Sequence, residues 1–283
     1  MCMSSTSALS IFQLKMKTIN QTEIISAFRL GISALTESNH YNGFYGISAS
    51  YPFFSNEPLE EYCKKYYNHK CVDEFIEFGA HNFNSFLVVL VDYLLHYNLM
   101  AFSDMNSNQA KNTAEKVGDI LEKRIQETIN KHGDEIIFSR WKNIEKDQDF
   151  KNILEIIKNY MYKNPKFNKE CTDLTISGTW NKLKTIRSKH GIRKYKQALS
   201  IAKNYSLEDI ALDLYLFKDF PIEISKYEPP SIIKNIYNGL FPGLEEKLEL
   251  SLMGHIQLSF NKDPVYSDLY DDEWVDIKNE RNI

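Results

Sequence analysis

The chain has 283 residues, 43% hydrophobic and 25% charged, with only 11 Gly and 8 Pro. That is long enough to bury a sizeable core without disulfide or metal staples, and it excludes a disordered or fibrous chain. A formal net charge of -4 excludes a protein that coats nucleic acid along its whole surface, but leaves room for a local basic patch.

The apolar patch Ala8 to Phe12 is too short for a signal-peptide core. Gly43 to Ser50 and Asn84 to Asp92 are short apolar β-rich runs, the pattern of strands buried on both faces of a parallel sheet. Leu59 to Phe78 between them predicts one or two helices. Asn108 to Lys131 predicts a long helix ended by Gly133. Further strands are expected at Glu135 to Trp141, Ser231 to Tyr237 and His255 to Phe260. Ser206 with Asp209 three residues on reads as a capping box opening a helix, with Pro221 at its end. Strands alternating with helices predict an α/β fold, one domain over 1–283 with a mainly parallel sheet flanked by helices. The longest apolar run, Phe86 to Leu95, is interrupted by Asp92 and is too short to cross a membrane. The expectation is a soluble, cytoplasmic monomer.

Charge is sorted along the chain. No acidic residue falls between Asp173 and Glu208, a window holding Lys182, Lys184, Arg187, Lys189, Arg193, Lys194, Lys196 and Lys203, whereas the tail from Asp263 to Asp276 is acidic. On the helix from Asn108, the stripe Ala110, Ala114, Val117, Leu121, Ile125 and Thr128 faces the sheet. Lys116, Lys123, Arg124 and Lys131 gather on one flank with Glu127; Glu115, Asp119 and Glu122 gather on the other. Such a helix is either a solvated face stabilised by i,i+4 pairs or part of a polyanion-binding surface.

Three places carry chemistry. Gly46-Ile47-Ser48 ends a predicted strand, where ligands of doubly wound sheets bind, so the Ser48 hydroxyl is placed for attack. Ser50 stands where a hydrolase nucleophile elbow needs glycine. Tyr215 and Asp219 are four residues apart, and a phenol and a carboxylate on one helix face can hold an ammonium group; the alternative is an ordinary amphipathic helix. Tyr237 is expected at another strand end. Cys2, Cys63, Cys71 and Cys171 lack zinc or redox spacing, and the seven histidines lack metal-ligand spacing, so no metal is expected. Phosphate-cradling glycine loops are absent, so no cofactor is expected either.

Taken in order, these elements resemble a cyclodipeptide synthase. The resemblance rests on Gly46 to Ser48 with aromatics soon after (Pro52-Phe53-Phe54), the strand ending at Asp92, and Trp141 closing a later strand. It continues with the Tyr-x-x-x-acid-x-Pro pattern at Tyr215 to Pro221 and with Tyr237. It implies a Rossmann-like domain similar to the tyrosine and tryptophan tRNA synthetases (class Ic) without their ATP motifs, and aminoacyl-tRNAs as substrates. It also implies an aminoacyltransferase in which Ser48 accepts the first aminoacyl group and the second aminoacyl-tRNA donates its amine to give a dipeptidyl-enzyme, which cyclises to a diketopiperazine. Gly46 would line the side-chain pocket, with Tyr51 and Asn238 in further substrate-binding positions. Tyr215 and Asp219 would hold the α-amino group, and Tyr237 would position the acyl-enzyme. Lys116, Lys123, Arg124 and Lys131 would bind the tRNA backbone. The family has glutamate at Asp219, asparagine in one subgroup at Tyr51, and His or Pro at Asn238. The rival readings are a serine hydrolase with His255 as base and an inert RNA-binding module on the same fold.

Overall fold

The computed structural model describes residues 22–30, 42–53, 57–132, 136–225, 229–250 and 253–260. Six strands form one sheet: β1 (Thr22–Leu30), β2 (Gly43–Ser48), β3 (Phe86–Val91), β4 (Ile136–Arg140), β5 (Ile222–Ser225) and β6 (Met253–Phe260), in the order β1-β6-β5-β2-β3-β4. β1 runs antiparallel to β6 at one edge, and every other pairing is parallel. The chain therefore builds outward from β2 through β3 and β4, then returns to the other side of β2 for β5 and β6. That reversal is the topological switch point of a doubly wound sheet, and the crevice it opens lies at the carboxyl ends of β2 and β5.

Alternation along the strands feeds two cores. Tyr45, Ile47, Val88 and Leu90 pack under α1 (Leu59–His69), α2 (Val72–Asn82) and α4 (Ser107–Ile129). Phe44, Leu87, Val89 and Val91 face the opposite layer. That layer holds α5 (Trp141–Ile144), α6 (Gln148–Lys163), α7 (Pro165–Leu216), α8 (Ser231–Tyr237) and α9 (Glu245–Leu248). The remaining helix, α3 (Leu95–Phe102), packs against α7 through Ala101 and Phe102. No helix of the described residues is long and apolar enough to cross a membrane.

The expected strands at Gly43, Asn84, Glu135 and His255 form with trimmed or shifted ends, and Leu59 to Phe78 resolves into two helices. Gly133 and Glu135, Phe54 and the acidic tail lie outside the described residues. Ser231 to Tyr237 is a helix instead of a strand. Ile232, Ile233 and Ile236 are its buried positions, a helical i, i+1, i+4 spacing that an isoleucine-rich heptapeptide conceals. The strand of that region is β5, four residues immediately after Pro221.

The expected helix start at Ser206 is also corrected. Ser206 lies inside α7, buried, its hydroxyl accepting from Thr175 Oγ1 at 2.9 Å. α7 is broken at Thr179 and at Gly191, where φ is +76°, a value that glycine adopts without a Cβ penalty. Thr175 meets Ser206, Lys203 Nζ meets Thr172 Oγ1 at 3.0 Å, and Leu183 shares a small core with Ala198. These pairs close in on Gly191, so α7 is a hairpin of two antiparallel arms, 165–190 and 192–216.

One polar knot holds the sheet end next to the crevice. Arg140, buried at the end of β4, donates from Nε to Asp92 Oδ2 at 2.9 Å and from Nη1 to Asp119 Oδ1 and Glu122 Oε2, both at 2.7 Å. A Cβ on Gly118 would lie 2.0 Å from the Asp92 carboxylate, so only glycine lets α4 approach this pair. Asp119 and Glu122, on the solvent side of the acidic flank of α4, thus clamp the buried Arg140 from outside.

Candidate active site at the sheet switch point

Ser48 is the last residue of β2 and stands at the switch point. Its backbone carbonyl accepts from the Tyr66 hydroxyl of α1, which fixes the strand end. Phe44, Gly46 and Ser48 point to the α7 side, as does Glu223 on β5, whose residue pairs with Phe44. Gly46 is exposed although β2 is an interior strand, and a Cβ there would meet nothing within 4 Å. The missing side chain leaves a recess between β2 and α7.

The second arm of α7 forms the far wall. Tyr205 lies against Ser48, whose side chain interacts with its hydroxyl. Asp209 and Asp213 follow at four-residue steps on the same helical face, about 6 Å apart along the axis. Asp213 interacts electrostatically with Glu223 and with Tyr237. Eight helical residues from Tyr205 to Asp213 advance about 12 Å, and four strand residues from Ser48 back to Phe44 cover about 13 Å. The arm therefore runs back along β2, with Asp209 near the Gly46 gap.

These carboxyls have no cation of their own: among the described residues no ion pair reaches Asp209, Asp213 or Glu223. Burial raises the Asp209 carboxyl to about 6. Burial, with repulsion from Asp209, raises Glu223 to about 8. Asp213 is pushed well above the ordinary carboxylate range by burial and then by Glu223 and Asp209. Burial also raises the hydroxyls of Tyr205 and Tyr237, helped by repulsion from nearby carboxylates, so neither is a phenolate near neutral pH. A half-buried acidic recess of this kind is stabilised by an incoming cation.

Several expected residues are placed here and others are not. Ser48, Gly46 and Tyr237 line or border the recess, Tyr237 from the end of α8 with its ring edge-on to Phe217 at 5.9 Å. Tyr215 and Asp219 do not converge on it. The Tyr215 hydroxyl donates to Asp147 Oδ2 at 3.1 Å, tying the end of α7 to the N-cap of α6. Asp219 lies beyond the helix end, exposed, and its backbone carbonyl accepts from Asn42 Nδ2. Tyr51 packs edge-on against Phe53, and Asn238 is the exposed C-cap of α8. Tyr205 and Asp209 repeat the Tyr-x-x-x-acid spacing ten residues earlier, without a proline after them.

His255 is not a base for Ser48. Its Nε2 lies 2.9 Å from Ser225 Oγ, and its residue pairs with Glu223 at the level of Phe44, two strands from β2. Two strand spacings and four residues put it about 16 Å from Ser48. Among the described residues no group of His, Cys, Asp and Glu is arranged to hold a metal ion. Lys116 and Lys123 are exposed and Arg124 half-buried on α4, with Lys131 just past its end. Lys123 and Arg124 line a shallow groove with Ile120, Glu60 and Glu127.

No family model matches the sequence, and no curated protein does. Solved structures do match. A cyclodipeptide synthase from Bacillus thermoamylovorans is 18% identical, with 78% of this chain and 90% of that chain covered and a TM-score of 0.59. The fold is that of the cyclodipeptide synthases. A Mycobacterium tuberculosis protein, whose structure relates cyclodipeptide synthetases to type I tRNA synthetases, is 12% identical over 87% of this chain and 99% of that one, with a TM-score of 0.56. A cyclodipeptide synthase from Candidatus Glomeribacter gigasporarum, bound to Phe-tRNAPhe, is 17% identical over 83% and 94%, with a TM-score of 0.51. The expected α/β class and the expected resemblance to this synthase fold both hold.

Proposed function

We propose that the chain is a tRNA-dependent cyclodipeptide synthase, an aminoacyltransferase acting as a monomer in the cytoplasm, where aminoacyl-tRNA is made. The observation that carries this reading is the meeting of Ser48 and Tyr205 at the switch point, beside three half-buried carboxyls that have no cation among the described residues.

Ser48 Oγ forms an ester with the aminoacyl carbon while the bond to the tRNA ribose oxygen breaks, and that oxygen leaves with the serine proton, relayed through Tyr205. The substrate ester is already activated, so no nucleotide is consumed. Asp209 receives the α-ammonium group, with the Tyr205 hydroxyl beside it. Binding this cation favours the ionised carboxyls and releases the protons that burial holds on them.

The direction of the next step follows from bond balance, and it reverses the expectation stated above. Attack on the seryl ester by the amine of the second aminoacyl-tRNA would move the dipeptide onto tRNA. For the dipeptide to remain on Ser48, the amine of the seryl-bound residue must attack the second ester and release the second tRNA. The new terminal amine then attacks the seryl ester, which closes the diketopiperazine and frees Ser48. Each amine must shed a proton before attack, and the Asp209, Asp213 and Glu223 group is placed to take it. Tyr237 borders the same space. Along α4, Lys116 lies toward the Ser48 edge and Lys131 about 22 Å farther, a track for the tRNA backbone.

Expression in a bacterium followed by mass spectrometry of the medium tests this reading. Cyclic dipeptides should accumulate with the natural sequence and vanish with Ser48→Ala. Undiminished production by Ser48→Ala contradicts the mechanism, and tight tRNA binding with no acyl-enzyme by intact mass selects the inert binding module.

A further inference from the structure

We propose that the tip of the α7 hairpin is a second RNA-backbone contact, separate from α4, which grips the acceptor duplex of a tRNA whose 3′ end reaches Ser48. The inference rests on the synthase reading for the identity of its RNA, and on the hairpin's geometry for everything else.

The last fully buried pair of the hairpin is Leu183 with Ala198, packed on Ala101 and Phe102 of α3, with Ile186 and Tyr195 half-buried against them. Beyond it the two arms continue for about two turns each to Gly191, with nearly every residue exposed. Arg187, Lys189, Arg193, Lys194 and Lys196 all lie in this stretch, and no acidic residue falls between Asp173 and Glu208. An ordinary solvated helix face carries both signs and forms i,i+4 pairs; here none of the five takes part in an ion pair among the described residues. The Arg187 guanidinium instead lies over the Tyr195 ring at 5.9 Å, holding one arm to the other. Five like charges within two turns of one another repel unless a polyanion neutralises them, and that partner gains counterion-release affinity.

The hairpin's direction selects the partner. Its second arm carries Tyr205 against Ser48 and then runs back along β2, so going the other way it leaves the carboxyl edge of the sheet. Fourteen residues separate Tyr205 from Gly191, about 21 Å along the helix. The basic tip therefore stands about 21 Å from the nucleophile, on the α7 side of the sheet, while Lys116, Lys123 and Arg124 lie on the α4 side. A tRNA enters with an unpaired 3′ end that bridges a gap of this order before its duplex begins. Phosphate contacts at that distance position the ester at Ser48 without reading sequence.

Arg187→Ala, Lys189→Ala, Arg193→Ala and Lys194→Ala combined, and separately Arg193→Glu, provide the test. Binding of uncharged bacterial tRNA is measured by fluorescence anisotropy across a salt series. The combined variant should bind about tenfold more weakly near physiological salt, with a log–log salt slope shallower by roughly 3. Arg193→Glu should weaken binding in the same direction. Since these side chains lie outside the cores, thermal unfolding should be unchanged in both. An affinity within twofold of the natural chain in both variants, with the slope unchanged, overturns the inference and leaves the synthase reading standing. Loss of binding to phosphatidylserine vesicles with tRNA affinity intact overturns it in favour of a lipid surface. A natural chain that binds no tRNA even at low salt overturns both.

Discussion

Tyr205–Asp209 and Tyr215–Asp219 have the same spacing in one stretch of chain, and their surroundings differ completely. The first pair lies on the helical face that covers β2, where Tyr205 meets Ser48 and Asp209 is half-buried beside two more carboxyls. The second begins ten residues on, about 15 Å along the axis and about 80° around it. There Tyr215 faces Asp147 of α6, and Asp219 has left the helix for solvent. Spacing alone puts two groups on one face; helical phase relative to the sheet decides what that face sees.

Replacing the phenols separates the two pairs by the largest margin. Tyr205→Phe should slow single-turnover acylation of Ser48 by about 100-fold, the scale of a lost proton-handling group, whereas Tyr215→Phe should leave it within twofold. Equal losses in stopped-flow or quench experiments would erase the distinction.

Binding can be moved without touching either pair. Lys123→Ala with Arg124→Ala should raise the KM for aminoacyl-tRNA by about tenfold and flatten its salt dependence, with kcat kept. A fall in kcat at constant KM would mean that α4 acts on the chemistry.

Acid titration should mark the recess around the first pair. Asp209 and Glu223 titrate near 6 and 8 in the folded chain, above ordinary values of 3.8 and 4.5. The folded state thus holds protons that the unfolded state has released, so stability falls as pH rises from about 4 to about 8. The melting temperature should drop by roughly 4 °C over this range, and by clearly less in Glu223→Gln. A melting temperature that rises over the range would contradict the burial of these groups. Least of all, Tyr215→Phe should lower the melting temperature by about 2 °C, the worth of one hydrogen bond of about 1 kcal/mol; no change would remove its structural role.

Apolar runs such as Phe86 to Val91 declare themselves because every residue of the strand is buried. β5 did not, since four residues with two half-buried polar positions carry almost no pattern. Ser206 resembled a cap because a serine followed by an acid three residues on also occurs inside helices, where a hydroxyl can find a partner on the facing arm. Ser48 and Gly46 stand at the strand end where chain order put them, whereas Tyr237, expected at a strand end, closes a helix. Tyr205 and Asp209 were not legible, because their meaning depends on the α7 arm's phase over β2. Arg140 was missed too, although Gly118 and the acidic flank Glu115, Asp119 and Glu122 offered a signal: acids gathered on one side of a helix next to a glycine invite a buried cation.

The decisive measurement compares Asp209→Asn with Asp219→Asn in the rate of cyclic dipeptide formation from aminoacyl-tRNA. The account predicts a loss of about 100-fold for Asp209→Asn, the scale of a lost charge-assisted contact to the reacting amine, and a rate within twofold of the natural chain for Asp219→Asn. A large loss at Asp219 with Asp209→Asn nearly unimpaired would contradict it.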